Sequence, residues 1–208
     1  MGFPEFDLNN RELATYELSE KLNLNFVPVC IKRILPEIGE CLIQEWIEEV
    51  DNQLIIVRSD SDIPKHYKKV INGYDELNKL VCLAHDNNKD LKKIAIFDLI
   101  INNADRKGGH ILKDQNEKIW IIDHGVTWHQ ENKLRTILWG WIGENLSNED
   151  IKLLELAKIA IFEWIENGAH LLRIEELQAA LNRIEVVLEQ GKFPEPSKEW
   201  PAIPWPIF

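Results

Sequence analysis

The chain has 208 residues, a formal net charge of −11 at pH 7 and 45% hydrophobic residues, which suits one domain or two small lobes with a sizeable core. The acidic balance argues against binding to nucleic acid or to anionic membranes, so we expect neither partner. No long apolar run and no secretory leader is visible, and a cytoplasmic location is therefore expected.

The first part of the chain predicts a helix followed by a hairpin. Apolar residues recur at helical spacing over residues 9–22. Two apolar, branched runs at 26–35 and 41–46 are separated by turn residues, which is typical of a β-hairpin. Three cysteines follow no disulfide or zinc spacing, so we expect reduced core residues: Cys30, Cys41 and Cys82.

The next part is rich in turn residues and leads into a longer apolar helix. Residues 51–90 predict loops around one helix at about 74–83. From residue 94 the pattern indicates a helix to 101, a polar loop over 102–109, and a hairpin whose strands lie at 111–112 and 119–122.

Two aspartates flank this second hairpin. Asp105 lies in the loop before its first strand, and Asp123 comes directly after its second. Strand pairing brings the two positions near each other, and two carboxylates in one cleft indicate a metal-assisted site. Taken singly, Asp105 is also explained by a side-chain turn with the following amides, and Asp123 by a strand-terminating cap.

The remaining chain is mainly structural. Trp139 and Trp141 are expected in the core. A capping box at 147–150 opens a helix to 167, and a second helix over 174–190 stops at Gly191. The ending FPEPSKEWPAIPWPIF predicts an extended tail that lies against the domain with its rings buried.

The central motifs resemble the catalytic core of the phosphatidylinositol 3/4-kinase-like branch. Asp105-Arg106 matches its Asp-Arg pair, His110 replaces its Asn, and Asp123-His124-Gly125 replaces its Asp-Phe-Gly. With LRTILWGW at 134–141 and the tail, the whole chain resembles a bacterial kinase-like family of that branch. The resemblance implies an α+β fold with a truncated small lobe at 1–50 and a mostly helical large lobe at 51–208.

The resemblance also implies chemical roles for the central residues. Asp105 would orient or accept the proton of an attacking hydroxyl, with Arg106 and Lys107 beside it. Asp123 and His110 would hold a divalent ion, Mg²⁺ or Mn²⁺, and an imidazole ligand favours Mn²⁺. Lys107 next to two glycines could bind a phosphate, and a solvated loop lysine explains it equally well.

The same resemblance predicts an ATP site in the first 50 residues. The backbone of Glu45, Trp46 and Ile47 would form the hinge that meets adenine. Glu12 would correspond to the helix glutamate that pairs with a phosphate-binding lysine. A capping box with Asn9 explains Glu12 equally well.

The chain departs from the family pattern at its start. Only eight residues precede the first predicted apolar helix, and they contain no lysine and no Gly-rich hairpin. Either the chain is a shortened form, or a separate chain supplies the strands, or the start has been placed too late.

Three functions follow. The first is an ATP-dependent phosphotransferase acting on a protein or small molecule rather than a lipid. The second is a pseudokinase or nucleotide-binding regulatory module. The third is a small metal-dependent hydrolase built on His110, Asp123 and His124.

Overall fold

The computed structural model describes residues 8–51, 53–168 and 171–208, which form an α+β fold, as predicted. The described helices are α1 (Leu8–Lys21), α2 (Lys89–Ile101), α3 (Asn148–Glu166) and α4 (Ile174–Gln190). The described strands are β1 (Cys30–Leu35), β2 (Gly39–Gln44), β3 (Ile55–Arg58), β4 (Tyr67–Tyr74), β5 (Leu80–Asp86), β6 (Ile111–Lys113) and β7 (Ile119–Ile121). No helix in these ranges has the length and apolar character needed to cross a bilayer.

The strands form three small antiparallel sheets. β1 pairs with β2, and β6 pairs with β7, so both predicted hairpins are confirmed. The third sheet has the order β3-β5-β4 with β5 in its centre. The Asp114 side chain closes the β6–β7 turn, because it accepts the backbone amides of Asn116 and Lys118 at 2.8 and 3.1 Å.

α2 is the central helix of the fold. It is buried at every position from Ile94 to Ile101 and packs against α3 and α4. Each fully buried Leu, Ile or Phe contributes about 1.5–3 kcal/mol relative to an exposed one. The helix ends at Asn102, which adopts a left-handed conformation with φ 53°. The loop that carries Asp105 therefore starts from a firmly packed element.

Local capping signals place the two C-terminal helices as predicted. Ser147 and Asp150 form a reciprocal capping box at the start of α3. α4 ends at Gly191, whose φ of 62° lies in the left-handed region. Trp139 and Trp141 are buried in the core, and all three cysteines are free, with Cys30 and Cys82 buried.

The predicted helix at 74–83 is wrong. These residues form the end of β4, a turn, and the first half of β5. The Asp75 carboxylate accepts the amides of Leu77 and Lys79 at 2.9 and 2.8 Å, which closes the turn. Cross-strand pairing of β4 with β5 then decides the structure of a short apolar run that is ambiguous by itself.

Two further expectations need correction. Asn9 lies within α1, and Glu12 bonds to a distant backbone amide, so no capping box forms between them. The tail is extended, but Trp205 is 80% exposed, which contradicts the expectation that its rings are buried. Trp200 is half-buried, with Lys133 Nζ 5.0 Å from its ring centre.

Candidate active site

Arg106 anchors the loop between α2 and β6. Its Nε lies 3.0 Å from Asp98 Oδ2 and its Nη2 lies 3.0 Å from Asp98 Oδ1, and both side chains are fully buried. Its Nη1 donates to the carbonyl of Ile122 at 3.0 Å. Because a buried charge needs a partner, this pair joins α2, the loop and the end of β7 into one unit. Arg106 therefore positions the loop and faces no open space.

Asn103 sets the backbone at Asp105. Its side chain accepts the amide of Asp105 at 2.9 Å and donates to Asp98 Oδ1 at 3.1 Å. The Asp105 carboxylate is 26% exposed and lies 2.9 Å from Lys107 Nζ. The loop thus presents a paired carboxylate and ammonium group at the surface.

Asp123 and His110 meet at the end of the hairpin. His110 Nε2 lies 3.3 Å from Asp123 Oδ2, and the Asp123 side chain is 54% exposed. Asp123 has a φ of 59°, a left-handed conformation that few non-glycine residues adopt and that occurs often at functional sites.

The electrostatics of His110 tie these groups together. Burial lowers the pKa of His110 below its ordinary value of 6.5, and the Asp123 carboxylate opposes part of that shift. Arg106, Asp105 and Lys107 also act on this pKa. The structure therefore brings Asp105, Lys107 and Asp123 within electrostatic range of one imidazole, which is neutral at pH 7.

The pair of His110 and Asp123 suits one edge of a metal site. Mg²⁺ binds oxygen at about 2.1 Å, so neighbouring ligands of an octahedral ion lie about 3 Å apart. The donor atoms of this pair are separated by 3.3 Å. The described part of the chain holds no group of three or more His, Cys, Asp or Glu side chains arranged to bind a metal. A bound ion would therefore take its other ligands from water and phosphate.

His124 does not join that pair. Its side chain is fully buried, and its Nδ1 lies 3.4 Å from Glu12 Oε2 on α1. The predicted three-ligand site of His110, Asp123 and His124 is therefore not assembled among the described residues, because the His124 side chain lies in the core against Glu12.

Glu12 links α1 to the Asp123-His124-Gly125 segment. Its Oε1 accepts the amide of His124 at 2.6 Å. Burial acts to raise the pKa of Glu12, but the hydrogen bonds and charge of His124 outweigh it and hold this pKa below its ordinary value of 4.5. No lysine of the described chain pairs with Glu12.

The predicted hinge is a short extended connection after β2. The amide of Glu45 donates to the carbonyl of Val29 at 2.8 Å, and the amide of Val50 donates to the carbonyl of Lys113 at 2.9 Å. Between these anchors, Trp46 is 86% exposed. The backbone groups of Trp46 and Ile47 have no hydrogen-bond partner within the described residues, so they are available to a ligand.

A polar cleft of about 320 Å³ lies beside the loop that carries Asp105. The cleft is bounded by the segment that follows the predicted hinge, by two glycines of the loop and by the tail. Its lining residues are Glu49, Val50, Asp51, Ile55, Gly108, Gly109 and Phe208. Gly108 donates to the carbonyl of Ile207 at 2.8 Å. A Cβ at Gly108 would lie 2.4 Å from Phe208 Cε1, so the tail packs directly on this glycine.

Sequence reasoning missed two parts of the site. Asp98 carried a usable signal, because a lone carboxylate in the apolar run IAIFDLII must find a buried partner. The docking of the tail on Gly108 carried none, because nothing in a Pro- and Trp-rich segment specifies the surface that receives it.

Comparison with known proteins identifies one similar chain. Protein Rv2133c of Mycobacterium tuberculosis is 36% identical over an alignment 217 positions long, which covers 99% of this chain and 77% of that protein. No protein-family model matches the chain. No solved structure matches it significantly.

Proposed function

The chain belongs to the same family as Protein Rv2133c of Mycobacterium tuberculosis, and we propose that it is a kinase-like phosphotransferase that uses ATP and a divalent metal ion. In this proposal the central loop and hairpin correspond to the catalytic part of a kinase-like large lobe, and α1 with the first hairpin corresponds to the remainder of a small lobe. The phosphoacceptor is a protein or a small molecule.

The observation that carries the proposal is the contact of His110 with Asp123, 3.3 Å apart, beside the loop that holds Asp105. The transfer of a nucleotide phosphate needs a metal ion, a positive charge and a base within a few ångströms of one another. In this proposal Asp123 is the metal ligand, Lys107 carries the positive charge and Asp105 is the base. All three residues lie on one loop and one hairpin, and all three influence the pKa of His110.

The roles follow from the surroundings of each residue. Asp105 orients the acceptor hydroxyl and takes its proton as the new oxygen–phosphorus bond forms and the bond to the bridging oxygen breaks. Lys107 lies 2.9 Å from Asp105 and carries the positive charge nearest to the transferred group. Asp98 and Asn103 hold the loop, and Arg106 acts through them as a positioning residue.

The metal ion would be held by Asp123 and His110, where it neutralises phosphate charge. A neutral imidazole is a weak ligand for Mg²⁺ and a good one for Mn²⁺. Burial keeps the imidazole of His110 neutral, because it lowers the pKa. Adenine would meet the free backbone groups of Trp46 and Ile47.

A second candidate is a nucleotide-binding regulatory module without efficient transfer. The carboxylate of Asp105 already has Lys107 as a partner at 2.9 Å, and an acceptor hydroxyl would have to displace that contact. Glu12 binds the amide of His124 instead of a phosphate-binding lysine. Both contacts favour binding over catalysis.

Metal binding is tested first by calorimetry with Mn²⁺ and Mg²⁺ in the presence of ATP. We expect tighter binding of Mn²⁺ than of Mg²⁺, and a loss of about tenfold or more in His110→Ala and in Asp123→Asn. Asp60→Asn is the matched control, because Asp60 is an exposed carboxylate paired with Lys69 away from the site. Equal affinities in all four proteins would contradict the metal site.

Catalysis is tested separately by following phosphate release and transfer. The phosphotransferase proposal expects turnover that falls about a hundredfold or more in Asp105→Ala while ATP binding persists. The binding-module alternative expects ATP binding, reported by quenching of the exposed Trp46, with turnover that Asp105→Ala leaves unchanged. An absence of ATP binding in the parent chain contradicts both.

A further inference from the structure

A second cavity lies behind the catalytic loop and shares none of the lining residues of the cleft beside it. It has a volume of about 320 Å³ and is enclosed by α2, α3, α4, the segment at 130–139 and the start of the tail. Its walls are mainly apolar and include Leu99, Leu134, Trp139, Ile184, Val187 and Pro194. This volume is at the lower end of the range of about 300–1,000 Å³ that is common for small-molecule sites.

Arg183 places a positive charge in the wall of this apolar cavity. Its Nη1 donates to the carbonyl of His129 at 3.3 Å and its Nη2 donates to the carbonyl of Ile100 at 3.1 Å. A guanidinium has five N–H groups, and its Nε is buried without a partner. No carboxylate of the described residues forms an ion pair with Arg183, in contrast to the fully paired Arg106.

Arg183 is partly exposed, and its positive charge has no carboxylate partner among the described residues. Burial lowers the pKa of Arg183 to about 9, so the group is still protonated at pH 7 and lacks a counter-charge. The contacts with Ile100 and His129 are with neutral carbonyls at the ends of α2 and of the segment after Asp123. An anion in the cavity would supply the missing counter-charge and accept hydrogen bonds from the remaining N–H groups of Nη1 and Nη2.

We propose that this cavity binds a small amphipathic carboxylate, with its apolar chain against Leu134, Ile184 and Val187 and its carboxylate at Arg183. The apolar walls require an acyl or similar chain, and the unpaired guanidinium selects an anionic head group over a neutral one. Glu195 also lines the cavity, at the tail, and disfavours an occupant with negative charge at that end. The occupant therefore carries a single charged end.

The site adjoins elements that lead into the catalytic loop. Ile100 is in the last turn of α2, two residues before the loop begins. The segment at 130–139 is bonded to the loop itself, because the amide of Arg106 donates to the carbonyl of Arg135 at 2.9 Å. The binding proposal does not depend on the phosphotransferase proposal, since the cavity residues and the catalytic residues are different.

The test uses octanoate and octanol as paired probes in calorimetry with the full chain. We expect octanoate to bind and octanol to bind about tenfold more weakly, because octanol lacks the charge. Arg183→Gln should weaken octanoate binding about tenfold and leave octanol binding within about threefold. Ala179→Phe, which fills the cavity from α4 without touching the charge, should weaken the binding of both probes.

The parent chain and Ala179→Phe decide the proposal even if Arg183→Gln fails to fold. Circular dichroism and thermal melting establish which variants are folded. No octanoate binding in the parent chain, equal affinity for the two probes, or octanoate binding that Ala179→Phe leaves intact would overturn the proposal.

Discussion

Replacing Asp98 by Asn removes the charge partner of Arg106 without changing the size of the side chain. Both side chains are fully buried, and two N–O distances of 3.0 Å join them. Removing one member of a buried ion pair costs about 3–5 kcal/mol, because the other charge stays buried without compensation. For a domain of this size the melting temperature falls by about 2–4 °C per kcal/mol, so we expect a decrease of about 10 °C.

Urea unfolding monitored by tryptophan fluorescence measures the change in the free energy of unfolding. The matched control is Asp90→Asn, in the first turn of the same helix, where the carboxylate forms an exposed pair with Lys93 at 3.4 Å. Exposed pairs contribute about 0–1 kcal/mol, so this control should change stability by about 1 kcal/mol or less. A loss in Asp98→Asn no larger than that of the control would refute the assignment of Arg106 as the buried anchor of the loop.

Three further predictions concern stability. Gly140→Ala should destabilise the fold strongly, since its Cβ would lie 2.5 Å from His85 Nε2, whereas Gly73→Ala, with nothing within 4 Å, should be near neutral; thermal melting compares them. Burial lowers the pKa of His85 from 6.5 to about 4, so its contribution to stability is fully present above pH 6.5, and about 3 kcal/mol of it is lost as pH falls to 4. His85→Gln should lose less stability over this interval by about that amount, and a parent profile no steeper than that of the variant would contradict the prediction. Because the pKa of Glu12 is lowered, its ionised carboxylate stabilises the fold above pH 4.5, and this stabilisation is lost on further acidification. In urea unfolding, the free energy of unfolding of Glu12→Gln should therefore change less between pH 5 and 3 than that of the parent chain, and an unchanged pH dependence would count against the bond to His124.

Short-range patterns in the sequence were sufficient for most of the secondary structure. The apolar run of α2, the capping box of α3 and the glycine that ends α4 each involve residues within about four positions of one another. Local hydrogen bonds and side-chain periodicity decide such elements wherever they occur in a fold. The hairpin between Asp105 and Asp123 is of this kind, and so the sequence alone located the candidate site.

Tertiary structure decided which polar groups satisfy one another. The bond of Glu12 to the amide of His124 spans 112 residues, and the packing of Phe208 on Gly108 brings the tail onto the loop. In the sequence, a capping box with Asn9 explained Glu12 equally well. In the fold, Glu12 instead accepts the amide of His124, because a buried amide without a hydrogen-bond partner is costly. Arg183 has no charge partner within the described residues for a related reason: the paths of α2, α4 and the tail decide which groups surround it, and no short-range pattern specifies those paths.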